Sequence, residues 1–133
     1  MPHVSHTYIW PELGLELDNF VGFDIYGRTS STNYQSGTMF HWDGLLLKYL
    51  ARKRFAAGGI VGNMTQITDD SGVLANQLHG FRGRGWGAGP TALYVARLEN
   101  PAVILQLRVV PEFAVTNLTQ GITLFLGLTF KWN

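Results

Sequence analysis

His41 and Asp43 stand two residues apart, and Arg82, Arg84, Arg108 and Glu112 supply further charges of both signs. On a strand, i, i+2 spacing puts His41 and Asp43 on one face within pairing distance, as acid–base chemistry between an imidazole and a carboxylate requires. A polar barrel lumen needs the same mixture of mutually neutralising charges, and that structural reading is preferred. Asp69-Asp70 offers oxygen ligands of the kind calcium takes, in a stretch containing Gly and Asn, but a solvated surface loop accounts for the pair more simply. His3 and His6 would point to opposite faces of a strand, so no metal pair is expected there. Ser71 lacks the G-x-S-x-G context of a nucleophile, and Ser5 with His3 is the closest Ser–His pair for an outer-membrane acyl hydrolase. Gly83, Gly85, Gly87 and Gly89 alternate along one face, which suits a curving strand or a close neighbour better than a phosphate loop. No catalytic residue, metal or cofactor is expected, and the chain is read as contributing no chemistry.

The elements that must position these residues are strands. Ile122 to Trp132 places Ile122, Leu124, Leu126, Leu128, Phe130 and Trp132 at alternate positions, with Thr123, Phe125, Gly127, Thr129 and Lys131 between them. A period of two makes one face continuously apolar and the other small or polar. An eleven-residue tilted strand ending in aromatics matches the span of a membrane β-barrel strand. Val, Ile, Thr and aromatic residues interleaved with Gly favour strands elsewhere too. Seven are expected: residues 3–10, 15–27, 38–50, 55–68, 81–96, 103–115 and 122–132. In the second, Leu15, Leu17, Val21, Phe23 and Ile25 oppose Glu16, Asp18, Asp24 and Arg28. In the third, Phe40, Trp42, Leu46 and Leu50 oppose His41 and Asp43. In the sixth, Val103, Leu105, Leu107, Val109, Phe113 and Val115 oppose Gln106, Arg108 and Glu112. The Gly-rich fourth and fifth have no legible facing, and Pro90 and Pro111 lead us to expect a bulge or a break inside their strands. Connections 28–37, 69–80 and 116–121 read as the longer set beside 11–14, 51–54 and 97–102, with 116–121 equal in length to 97–102, the asymmetry of outer-membrane barrels.

Composition narrows the class. Charged residues are 14% of the 133, below the ~25% of ordinary soluble domains, and the net charge is +1 with 10 basic and 9 acidic residues. Nothing electrostatic points to nucleic acid. The absence of Cys excludes disulfides and thiolate metal sites. No apolar run reaches the ~18 residues of a membrane helix, a test that alternating strands escape. The opening Met-Pro-His-Val-Ser-His has neither a basic nor an apolar leader segment, so a mature, trimmed or partial chain is expected. A soluble lipocalin-like barrel would carry Lys and Glu on its outer face, whereas the polar face here is mostly Gly, Thr, Asn and Ser.

Three segments also carry a resemblance. Gln66, Asp70, Ser71, Gly72, Gly80, Arg84, Gly89 and Pro90, in that order, with Tyr34 to Gly37 and His41 upstream and Gln120-Gly121 downstream, resemble the family of outer-membrane channels of the meta-cleavage (MetA) pathway of phenol degradation. The similarity spans about residues 13–132. Members are roughly twice as long, so the chain looks like a C-terminal half, and Asn133 follows the terminal aromatic where such barrels usually end on it. The resemblance implies a Gram-negative outer-membrane channel for aromatic or other hydrophobic compounds.

The combined expectation is an all-β, antiparallel transmembrane barrel segment of about seven strands in one domain, located in the bacterial outer membrane. Asp18, Asp24, His41, Asp43, Arg82, Arg84, Gln106, Arg108 and Glu112 are expected to line the pore. Partners would be outer-membrane lipid, small hydrophobic or aromatic molecules, and another copy or missing N-terminal strands to close the barrel. A soluble or periplasmic barrel binding a hydrophobic ligand inside is the alternative.

Overall fold

In the computed structural model, which describes residues 1–97 and 99–132, every apolar alternation becomes a strand. They are β1 (His3–Trp10), β2 (Leu15–Asp24), β3 (Met39–Leu50), β4 (Phe55–Gln66), β5 (Arg84–Arg97), β6 (Ala102–Thr116) and β7 (Ile122–Lys131). Each pairs antiparallel with the next, giving one seven-stranded sheet in sequential order. The order starts at β1 and ends at β7, so the sheet is open rather than closed. β2 and β4 stop short of the expected ends, and residues 25–27, 67 and 68 belong to connections. A helical turn, α1 (Val73–Gln77), lies in the β4–β5 connection, where no helix was expected.

Cross-strand register sorts every side chain onto one of two faces, because directly opposed residues share a face. Asp18↔Leu45, Leu45↔Ile60 and Thr91↔Arg108 run along one; Leu17↔Leu46, Ala92↔Leu107 and Leu107↔Leu126 run along the other. Ser5 and Thr7 of β1 line a single cavity of about 390 Å³ together with Asp43 of β3 and Arg108 of β6. In a flat sheet β1 and β6 would be roughly 24 Å apart at ~4.8 Å per strand, so the sheet rolls toward this face. It is the inner face, and the other is the outer.

Glycine allows the roll. A side chain at Gly58 would collide with the carbonyl of Leu46, and one at Gly89 with that of Val109, so both mark close strand approach. The inner face has its own small core toward the short-turn end, with buried Leu45, Leu47 and Ala56 packed against Tyr49, Ile60 and Leu93.

The prolines break the ladder without bulging it. Between β5 and β6 the paired positions jump from Gly87↔Glu112 to Thr91↔Arg108 in unchanged register, skipping the rungs that hold Pro90 and Pro111. The register shifts lie instead between Arg84 and Trp86 and between Val95 and Arg97. Opposite the first, Ala114 has φ 50° and β6 gains a residue. The bulge turns Val115 to the inner face, over Gly85, where alternation alone had placed it outside.

Connections 11–14, 51–54 and 99–101 lie at one end of the sheet, with 25–38, 67–83 and 117–121 at the other. The first two of the latter group are much the longer. Leu98, in the β5–β6 connection, and Asn133, the residue after the terminal aromatic, fall outside the described residues.

Candidate functional site: the inner face of the rolled sheet

Seven of the nine residues expected to face inward share the inner face: Asp18, Asp24, His41, Asp43, Gln106, Arg108 and Glu112. Their side chains are tied locally. His41 Nε2 lies 2.5 Å from Asp24 Oδ2, a cross-strand pair that replaces the His41–Asp43 pairing expected from spacing. Thr7 donates to Asp18 at 2.6 Å, and Tyr49 donates to Glu16 at 3.0 Å. Glu112 accepts from the Gly121 amide at 2.9 Å and from Thr123 at 3.3 Å. Arg108 lies over the Phe125 ring, 5.5 Å from its centroid. With the Gln106 amide oxygen turned toward it, Arg108 also donates through Nη2 at 2.8 Å. Asp43 has no side-chain hydrogen bond among the described residues.

Arg84 and Arg82 depart from that reading. Arg84 pairs with Thr65, whose neighbours Asn63 and Val61 are on the outer face, so it points outward beside Trp86. Arg82 precedes β5 altogether and forms an exposed ion pair with Asp69. Strand β5 begins at Arg84 rather than residue 81, which leaves Arg82 outside it, and register alone turns Arg84 outward.

A half-open cavity of about 200 Å³ lies on the inner face toward the long-loop end. Gly62, Gly85 and Gly87 form its floor, Met64, Val110, Val115 and Leu118 its walls, and Asp43 and Glu112 supply carboxylates. The alternating glycines therefore serve a close neighbour: a Cβ at Gly87 would come within 2.8 Å of a Val110 methyl.

At the same end, several of the residues that carried the family resemblance, from Tyr34 to Gly37 and from Gln66 to Gly80, meet in one network. Asp70, buried, accepts from the Tyr34 hydroxyl, the Gly37 amide at 2.7 Å and the Gln66 amide group at 2.6 Å. Gln66 in turn accepts from the Gly83 amide at 3.2 Å. Gln35 and Ser71 exchange both backbone hydrogen bonds. Gly72 (φ 126°) and Gly80 (φ 88°) bracket α1 in backbone conformations that L side chains resist. Gln66 is an inner-face residue, so a loop that brings Asp70 to it turns inward over the rim. Asp70 is thus buried and committed, not the solvated loop residue expected from sequence. Among the described residues no group of three or more His, Asp or Glu side chains is placed to hold a metal. The Tyr34 phenol is pushed above its usual 10.0, first by its hydrogen bond to Asp70 and then by burial and the Asp70 charge.

The outer face is different in kind. Leu124, Leu126 and Leu128 are 70%, 77% and 56% exposed, with Leu105 and Leu107 beside them. Aromatics rim this face at both ends: Tyr8, Trp10, Phe55, Tyr94 and Phe130 near the short turns, and Phe23, Phe40, Trp42, Trp86 and Phe113 near the long loops. Tyr94 and Trp86 stand eight residues apart on β5, roughly 26 Å along the strand and about 20 Å in height at a tilt near 40°.

The fold defines an all-β protein, an open, rolled antiparallel sheet with a polar inner face and an apolar outer one. Residues 1–128 match the family model described as "Putative MetA-pathway of phenol degradation", and the chain belongs to that family. Comparison with curated proteins and with solved structures finds no match.

Proposed function

We propose that the chain forms the wall of a bacterial outer-membrane channel that passes small hydrophobic or aromatic molecules and performs no chemistry on them. The observation that carries this reading is the outer face: an apolar band between two aromatic rims, interrupted by Lys48 and, on β1 and β2, by His6 and Asn19. A soluble domain rarely leaves an apolar patch beyond a few hundred Å² in water, whereas lipid removes that cost. The charged inner face supports a water-filled path, with Asp18, Asp24, His41, Asp43, Gln106, Arg108 and Glu112 as its lining. Family membership adds the phenol-degradation context.

The soluble-barrel alternative draws on one observation, the inward cluster of Leu45, Leu47, Ile60 and Leu93. It leaves the exposed leucines of β7 without a partner. The experiment is solute entry into lipid vesicles carrying the refolded chain. Uptake of phenol above that of protein-free vesicles supports the channel, and uptake equal to theirs removes it.

A further inference from the structure

The cavity over Gly62, Gly85 and Gly87 has features that a general pore lining does not need. Its volume of about 200 Å³ exceeds the roughly 150 Å³ that accommodates one benzene ring in an apolar protein cavity. Val110 leans over Gly87 and Val115 over Gly85, and with Met64 and Leu118 they give the cavity an apolar lining. Its charged groups, Asp43 and Glu112, are carboxylates, which accept hydrogen bonds and repel anions, and Thr119 adds a hydroxyl. Glu112 is already engaged with the Gly121 amide and Thr123, whereas Asp43 accepts no side-chain hydrogen bond among the described residues. Asp43 also borders the larger cavity that Arg108 lines, so it stands where the two spaces meet.

Resting on the channel reading above, we propose that this cavity is a subsite for a single uncharged aromatic ring bearing a hydroxyl, and that Asp43 sorts ligands by charge. The ring lies among Met64, Val110, Val115 and Leu118, and its O–H donates to the Asp43 carboxylate. A phenolic hydroxyl keeps its proton at neutral pH, as a tyrosine does with its pKa near 10, and so can donate. An aromatic carboxylate is ionised there and meets the like charges of Asp43 and Glu112 in the cavity itself, while Arg108, in the adjoining space, is held on Phe125 and Gln106. The subsite therefore accepts hydroxylated rings and rejects carboxylated ones of the same size.

The three methionines, Met1, Met39 and Met64, make the test direct, because only Met64 lines this cavity. The full chain, labelled with ¹³C at the methionine methyls and refolded in detergent micelles, is titrated with phenol, anisole and benzoate. Phenol should shift the Met64 methyl saturably and leave Met1 in place. Anisole, which lacks the donor, should need a higher concentration, and benzoate about tenfold more than phenol. In Asp43→Asn the phenol-to-benzoate ratio should fall to within about threefold, with the Met39 signal reporting an intact fold. An unmoved Met64, benzoate matching phenol, or an unchanged ratio in Asp43→Asn each overturns the proposal. Loss of vesicle uptake with the Met64 response intact would instead remove the channel reading and leave the subsite standing.

Discussion

Asp70 is the residue on which the long-loop end depends, since its single carboxylate serves three segments at once through Tyr34, Gly37 and Gln66. Hydrogen bonds to a buried charge contribute about 1.5–3 kcal/mol each, so Asp70→Asn should cost about 2 kcal/mol or more locally. Hydrogen exchange should then accelerate at the Gly37 and Gly83 amides together. Asp69→Asn removes only an exposed ion pair with Arg82 and should cost less than about 1 kcal/mol. If both variants exchange alike, Asp70 is not the tie. The Tyr34 hydroxyl adds a pH dependence. Its folded pKa is raised, so its contribution is complete below the unfolded value of 10.0 and is lost as pH rises through the folded one. Protection of the Gly37 amide should hold at neutral pH and fall only in strong alkali, and Tyr34→Phe should abolish that alkaline step. Substitutions on β7 separate the two faces. Leu126→Arg, outward in mid-strand, should destabilise the lipid-refolded chain by about 2–4 kcal/mol, and inward Thr129→Arg by much less. Equal costs in chemical denaturation would mean that neither face meets lipid.

At the scale of elements, β2, β3, β7 and β6 as far as its bulge were legible because each alternates strongly enough for its faces to be read directly. β4 and β5 were not, since glycine carries no facing signal. Their faces come from register alone, which sets Gly58, Ile60 and Gly62 inward opposite Leu47, Leu45 and Asp43. The bulge at Ala114 was equally hidden: an alanine with positive φ has no sequence signature, and it reverses Val115. Arg84 was misplaced because its Gly-rich strand carries no facing signal, and only the pairing with Thr65 sets it outward. The motif of Gln66, Asp70, Gly72 and Gly80 was visible as a pattern but not as a structure. Its hydrogen bonds join residues such as Gly37 and Asp70, 33 positions apart, which only the sheet brings together. Trypsin offers a check on the inward-turned β4–β5 connection. Cleavage after Arg82, which is exposed, should outpace cleavage after Arg108, which lies inside β6. Equal rates would mean that the sheet is not formed around Arg108.

For the whole molecule, an odd strand count sets the geometry of the edges. β1 and β7 run in the same direction, so they can meet each other only in parallel, and an antiparallel closure needs an odd number of strands between them. Unpaired edge groups in hydrocarbon cost several kcal/mol each, which predicts that the chain by itself associates through these edges in detergent. Sedimentation should show species larger than one chain, and a monomer with every β7 amide protected would contradict an open sheet. The central claim, that the outer face meets lipid and the inner face water, is tested most directly by nitroxide labels on the chain refolded in vesicles. Labels replacing Leu105, Leu107, Leu124 and Leu126 should be relaxed by oxygen, which concentrates in lipid, and hardly by a water-soluble nickel chelate. Labels replacing Gln106, Arg108 and Thr123 should show the reverse. Nickel access at the leucines equal to that at Gln106 and Arg108 would contradict the membrane account.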